Sequence, residues 1–160
     1  MKKVVIVDDE SSGRKLIKEY LEDHKDLIIM GEANNGVDAI KLINEFKPDL
    51  VFMDIQMPGL TGFDVLEHLE ELPHIIFSTA YDQYALKAFE VHAVDYLLKP
   101  YTKERFTTAI HKISAIKNLV PLAEDHIQQK KEYPDRIIVQ KGSKYVTLAT
   151  QDIHYIEAYG

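Results

Sequence analysis

The stretch Leu50-Val51-Phe52-Met53-Asp54-Ile55-Gln56-Met57-Pro58-Gly59 runs four apolar residues into a carboxylate, with Pro and Gly just beyond. Such a run reads as a buried parallel strand whose C-terminal tip is Asp54. In open α/β sheets that edge binds ligands, because strand ends and helix N-termini meet there. Other runs end the same way. Val4-Val5-Ile6-Val7 leads into Asp8-Asp9, Ile75-Ile76-Phe77 into Ser78-Thr79, and Tyr96-Leu97-Leu98 into Lys99-Pro100. Three acids, a hydroxyl and an amine at one sheet edge suit phosphoryl transfer.

Working outward, apolar runs alternate with amphipathic stretches of helical length, the pattern of βα units. Strands are expected over 3–7, 27–33, 50–54, 74–78 and 94–98. Ser11-Ser12 offers an N-cap for the first helix, and Asn34-Asn35-Gly36 a turn before the second. The second helix carries Val37, Ile40, Ile43 and Phe46 and ends before Lys47-Pro48. A short third helix carries Phe63, Leu66 and Leu69, and a fourth spans 85–91. A long last helix shows Phe106, Ala109, Ile110, Ile113 and Ile116 on one face and is expected to stop at Val120-Pro121. Five strands alternating with five helices, joined by right-handed crossovers, form a doubly wound parallel sheet.

Beyond Pro121 the pattern changes. Residues 122–135 are polar and mixed in charge, a linker expected to be helical at most in part. In residues 136–160, Ile137–Gln140 and Tyr145–Leu148 flank Lys141-Gly142-Ser143-Lys144 as a β-hairpin. A third strand is expected over 153–158.

Composition limits the functions on offer. The 160 residues suffice for one domain with a real core and a small remainder. The chain has no cysteine, which excludes disulfides and thiolate metal sites and suits a cytoplasmic protein. No apolar run approaches membrane-spanning length, and Met1-Lys2-Lys3 passes straight into the first strand pattern, with no signal peptide expected. Net charge is -7; residues 1–120 carry 14 basic against 20 acidic residues and residues 121–160 carry 5 against 6. Neither segment has the basic excess of a nucleic-acid face. There is no P-loop or dinucleotide glycine pattern, no histidine pair at zinc spacing and no nucleophile elbow around Ser11, Ser12 or Ser78.

Each candidate residue also has an ordinary reading. Asp8-Asp9-Glu10 would complement the positive end of the following helix, Thr79 would cap a helix or satisfy a strand, Lys99 would reach into water and Tyr96 would pack in the core. Their coincidence at the same end of four strands argues against all of these holding at once. Clustered carboxylates repel unless a cation joins them, and Mg2+ takes one or two carboxylates, a carbonyl and waters. Asp54 is then either a ligand or a nucleophile able to form an aspartyl phosphate, with Lys99 neutralising charge on the transferring oxygens.

These motifs, across roughly residues 2–120, resemble the receiver domain of two-component response regulators. The resemblance implies a flavodoxin-like fold of strand order 2-1-3-4-5, an order the chemotaxis member of the family exemplifies. It implies Asp54 as acceptor of a phosphoryl group from a histidine kinase. Asp9, Asp54 and the main-chain carbonyl of Gln56 would bind Mg2+, with Asp8 acting through water. Thr79 and Lys99 would contact the phosphoryl group, Tyr96 would be the switch aromatic, and Lys99-Pro100 would be cis. A regulator of this kind switches dimerisation through its fourth helix, fifth strand and fifth helix, and is not a turnover enzyme. The stretches Thr79–Asp82 and Val94–Pro100 look most like the LytR/AlgR type. Arg136–Val139 with Ile153–Ala158 is similar to the opening strands of a LytTR DNA-binding domain, most of which is missing; that implies DNA as partner of the full-length regulator. The alternative is a phosphorelay or protein-interaction receiver without DNA output. A haloacid dehalogenase-type phosphatase fits poorly, because Asp54-Ile55-Gln56 has Gln where that chemistry needs a second acid.

Overall fold

The computed structural model describes the backbone of residues 1–124, 136–141 and 144–149, and side chains over residues 1–113. The chain divides into two units, Met1–Asn118 and Leu119–Gly160. The first is built on β1 (Lys2–Val7), α1 (Ser11–Leu21), β2 (Leu27–Ala33), α2 (Gly36–Phe46), β3 (Leu50–Met53), α3 (Gly62–Glu67), β4 (His74–Thr79), α4 (Ala85–Glu90), β5 (Asp95–Leu98) and α5 (Lys103–Glu124). All five strands are parallel, in the order β2-β1-β3-β4-β5. The alternating runs implied such a doubly wound parallel sheet, and its order is the flavodoxin-like one that the resemblance implied.

The period of a strand explains how one continuous apolar run serves two faces. Val5, Val7, Val51, Met53, Ile75 and Phe77 pack with Ile43 of α2, Phe63 and Leu66 of α3 and Ala88 of α4. The intervening Val4, Ile6, Leu50, Phe52 and Ile76 pack with Ile17 of α1 and Phe106, Ala109 and Ile113 of α5. Phe52 and Phe106 stack at 5.0 Å between ring centroids. The central strands β1, β3 and β4 are therefore covered on both faces, and their polar tips emerge at the C-terminal edge.

Two expectations need correction. Ser11 is the first residue of α1 and not its cap: the N-cap is Glu10, which has no side-chain cap bond among the described residues. Asp8 Oδ1 accepts the N–H of Glu10 itself at 2.9 Å, which orders the loop before the helix. The last helix also does not stop at Val120-Pro121 but continues to Glu124, so the expected boundary at residue 121 falls inside it. Proline removes one N–H and crowds the carbonyl four residues back. With only three helical residues beyond it, that local cost does not terminate the helix.

In the second unit β6 (Arg136–Lys141) and β7 (Lys144–Ala149) pair antiparallel, Lys141 opposite Lys144. This is the hairpin expected from the two β-rich runs. The expected third strand at 153–158 and residues 125–135 of the expected linker lie outside the described residues.

Candidate functional site

The sheet order places β1, β3, β4 and β5 side by side, so the residues ending them share one edge. Asp54 follows β3 directly and is anchored there by its N–H, which donates to the Val7 carbonyl at 2.8 Å. Asp8 follows β1 and is wholly buried, Asp54 is 5% exposed, Thr79 ends β4 fully buried, and Lys99 follows β5.

The Lys99 ammonium donates to Asp8 Oδ2 at 2.8 Å and to Asp54 Oδ2 at 3.1 Å, with Glu10 at 3.8 Å. Lys99 thus points inward and not into water. Asp9 completes the group: one oxygen from each of Asp8, Asp9 and Asp54 lies within 4.8 Å of the others. Three carboxylates gather where one amine bonds only two of them, and this surplus of negative charge is what a divalent cation would relieve. Burial, the largest influence, raises the Asp8 carboxyl above its ordinary value, and Asp54 adds to this while Lys99 opposes it. Burial depresses Lys99, but its bonds to Asp8 and Asp54 outweigh that and hold its pKa above the usual lysine value.

Thr79 Oγ1 is buried without a hydrogen-bond partner among the described residues. A buried hydroxyl left unmade costs about 1–3 kcal/mol, so neither the helix-cap nor the satisfied-strand reading of Thr79 holds. Ser78, one residue earlier, faces the other way and bonds the Tyr101 hydroxyl at 2.9 Å. The Gln56 N–H lies 3.3 Å from Asp54 Oδ1, and its side-chain amide donates to the Tyr84 hydroxyl at 2.6 Å. Tyr96 is half-buried, and its hydroxyl donates to the Tyr81 carbonyl. Burial, followed by the nearby Asp82, raises its pKa. The Lys99-Pro100 peptide is cis.

Two features of the site escaped the sequence reading. Arg14 on α1 donates to the carbonyls of Asp8 at 2.8 Å and Asp9 at 3.4 Å, and pairs with Glu32 of β2 at 3.3 Å. It fixes the loop carrying both acids. Gly13 and Gly62 are required by close approach: a Cβ on Gly13 would collide with the Asp8 carboxylate, and one on Gly62 with the Asp54 carbonyl. A glycine inside an amphipathic helical pattern was the available signal for Gly13. Arg14 carried none.

Residues 4–111 match the family model described as the response regulator receiver domain. The chain is 44% identical over 115 residues to the transcriptional regulatory protein BtsR of Salmonella typhi, covering 71% of this chain and 48% of that protein. It is 36% identical over 156 residues to the sensory transduction protein LytT of Enterococcus faecalis, covering 96% of this chain and 64% of that one. It therefore spans less than two thirds of either relative. Among solved structures, the response regulatory domain of protein mrkE from Klebsiella pneumoniae superposes with a TM-score of 0.66 at 32% identity, covering 71% of this chain and 96% of that one.

Proposed function

Since this chain belongs to the family of response regulator receiver domains, we propose that Asp54 accepts a phosphoryl group from a sensor histidine kinase. The observation that carries this is the cluster of Asp8, Asp9 and Asp54, with Lys99 bonded to Asp8 and Asp54, beside a Thr79 hydroxyl that has no partner among the described residues. A carboxylate oxygen of Asp54 attacks phosphorus, the phosphorus–oxygen bond forms, and the bond to the donor imidazole breaks. Asp9, Asp54 and the Gln56 main-chain carbonyl would hold Mg2+, with Asp8 acting through water. The cation, when bound, neutralises charge on the transferring oxygens. Lys99 would supply a second positive charge, and Thr79 a donor to a phosphoryl oxygen.

The phosphoryl group adds charge and acceptor oxygens at the edge of β3. Thr79 moves toward it, Tyr96 turns into the space vacated, and the face of α4, β5 and α5 is altered. Leu86, Phe89 and Leu98 are 72%, 79% and 44% exposed on α4 and β5, apolar area that suits a homodimer contact. Moving such a switch from 1:99 to 99:1 takes about 5.5 kcal/mol of preference for the active state.

The output reading is transcriptional control through a LytTR-type DNA-binding domain. The names of BtsR and LytT and the β6–β7 hairpin support it. No helix among the described residues is long and apolar enough to cross a membrane, which accords with a cytoplasmic regulator. Treatment with acetyl phosphate and Mg2+ tests the phosphoacceptor. Intact mass should rise by one phosphoryl group in the wild type and not in Asp54→Asn. A gain that persists in Asp54→Asn overturns the assignment.

A further inference from the structure

Successive residues of a strand face opposite ways, so Ser78 and Thr79 at the tip of β4 look to opposite sides of the sheet. Lys99, whose ammonium reaches Asp8 and Asp54, donates its main-chain N–H to the Thr79 carbonyl at 2.8 Å. Tyr101, two residues on, bonds Ser78 through its hydroxyl at 2.9 Å. The loop that carries Lys99 is thus fastened to β4 twice, by main chain at Lys99 and by side chains just beyond it.

Packing alone does not account for the Tyr101 hydroxyl. Tyr101 is 8% exposed and Ser78 1%. The Tyr101 ring stacks on Phe106 of α5 at 6.4 Å and stands edge-on to Tyr20 of α1 at 6.3 Å. A phenylalanine would fill the same space, and a buried hydroxyl costs free energy unless it is bonded. Among the described residues its partner is Ser78. Burial, the largest influence, raises the Tyr101 pKa above the ordinary tyrosine value, so the hydroxyl stays protonated at neutral pH. With the ring held by α1 and α5, the hydroxyl is a fixed anchor for β4.

We propose that Tyr101 is a positioning residue for phosphoryl uptake: its bond to Ser78 holds the Lys99 loop against β4, so that the ammonium stands where charge gathers on the transferring oxygens. This rests on the phosphoacceptor reading of Asp54. In uptake from acetyl phosphate an Asp54 oxygen bonds to phosphorus. The bond from phosphorus to the acetyl oxygen breaks, and that oxygen keeps the electron pair and leaves with acetate. Lys99 carries its charge on a flexible four-carbon stem, so its placement depends on the main chain beneath it. A misplacement of about 1 Å at a reacting centre slows a reaction as much as a hundredfold, and losing one of two fastenings permits a smaller shift. The ligands proposed for the cation stand after β1 and β3, which this bond does not touch. Tyr101 therefore governs the rate of uptake and not the affinity for the cation.

The test follows the rate of mass gain from acetyl phosphate in wild type, Tyr101→Phe, Ser78→Ala and the double variant across a Mg2+ titration. It is run at a temperature where urea denaturation shows the variants folded. Tyr101→Phe keeps the ring and removes only the hydroxyl. Its rate at saturating Mg2+ should fall about two- to tenfold, the range of one net hydrogen bond, with the Mg2+ midpoint unchanged. Ser78→Ala should fall by as much and the double variant no further, because all three lack the same bond. A merely structural role would lower the urea midpoint and leave the rate of the folded protein where it was. Should Ser78→Ala not fold, the rate and Mg2+ midpoint of Tyr101→Phe decide alone. An unchanged rate in Tyr101→Phe, a Mg2+ midpoint that moves with the rate, or losses that multiply in the double variant overturns the inference while leaving Asp54 as acceptor. A wild type that takes up no phosphoryl group overturns both.

Discussion

Two ion clusters flank β5, and their stoichiometry is inverted. At its C-terminal end Lys99 alone faces Asp8, Asp54 and, at longer range, Glu10, with Asp9 close by. At its start Asp95 alone faces Arg105 at 2.7 Å and Lys112 at 2.9 Å, with its own Oδ1 also taking the Tyr96 N–H. Burial opposes ionisation of Asp95, yet two cations hold its pKa down at about 2. Burial raises Asp8, and a single amine shared with its acidic neighbours does not reverse that. One cluster is satisfied and fastens α5 to β5. The other is left short of positive charge. The same residue types, within a few residues of one strand, are structural where cations outnumber acids and carry the proposed cation site where acids outnumber the amine.

The largest disturbance should come from deepening that imbalance. Lys99→Met leaves Asp8 and Asp54 buried without their cation, and breaking a buried pair from one side costs about 3 kcal/mol or more. Chemical denaturation without Mg2+ should show the loss, and added Mg2+ should recover part of it. A Lys99→Met protein as stable as wild type would mean the acids are not ionised together.

Removing the acid of the satisfied cluster should cost less and carry a pH signature. Asp95→Asn should lower stability by about 2 kcal/mol near neutral pH, from a shift of the ordinary 3.8 down to about 2. Because the folded pKa is depressed, this stabilisation is complete above the unfolded value and is lost as pH falls from near 3.8 towards 2. The variant and wild-type stability curves should therefore converge in acid. Curves that stay parallel down to pH 2 would deny Asp95 its ion pairs.

A comparable or smaller effect is expected from Gly13→Ala, whose added methyl group displaces the Asp8 carboxylate. Overpacking of this kind typically costs about 1–3 kcal/mol. It should also weaken Mg2+ binding in a calorimetric titration. Unchanged affinity would show that Asp8 takes no part in holding the cation.

The contrast also explains what could be read from the chain before its structure. Strand tips are a local signal: a buried run must end in residues that tolerate the edge, so Asp8, Asp54, Thr79 and Lys99 stood out together. βα alternation and crossover handedness imply a doubly wound parallel sheet, and the resemblance to receiver domains supplied its 2-1-3-4-5 order. Arg14, Tyr84, Asp95 and Arg105 are ordinary polar and aromatic residues on helices, a loop and the start of β5, and their partners are distant in sequence or set by side-chain direction. Their meaning exists only once α1, α4 and α5 are docked. The helix end was misjudged at Pro121 for the opposite reason, because a local rule was applied where only a short helical segment remained beyond it. Ser11 does not cap α1 because it is already its first helical residue, with Glu10 at the N-cap in extended backbone.

The surplus of acid over amine at the C-terminal edge implies that phosphoryl uptake depends on a divalent cation. Intact mass after exposure to acetyl phosphate across a Mg2+ titration measures this directly. One phosphoryl group should appear with saturable dependence on Mg2+, and a chelator should reduce uptake to the background seen in Asp54→Asn. Full uptake in the presence of the chelator would contradict the account.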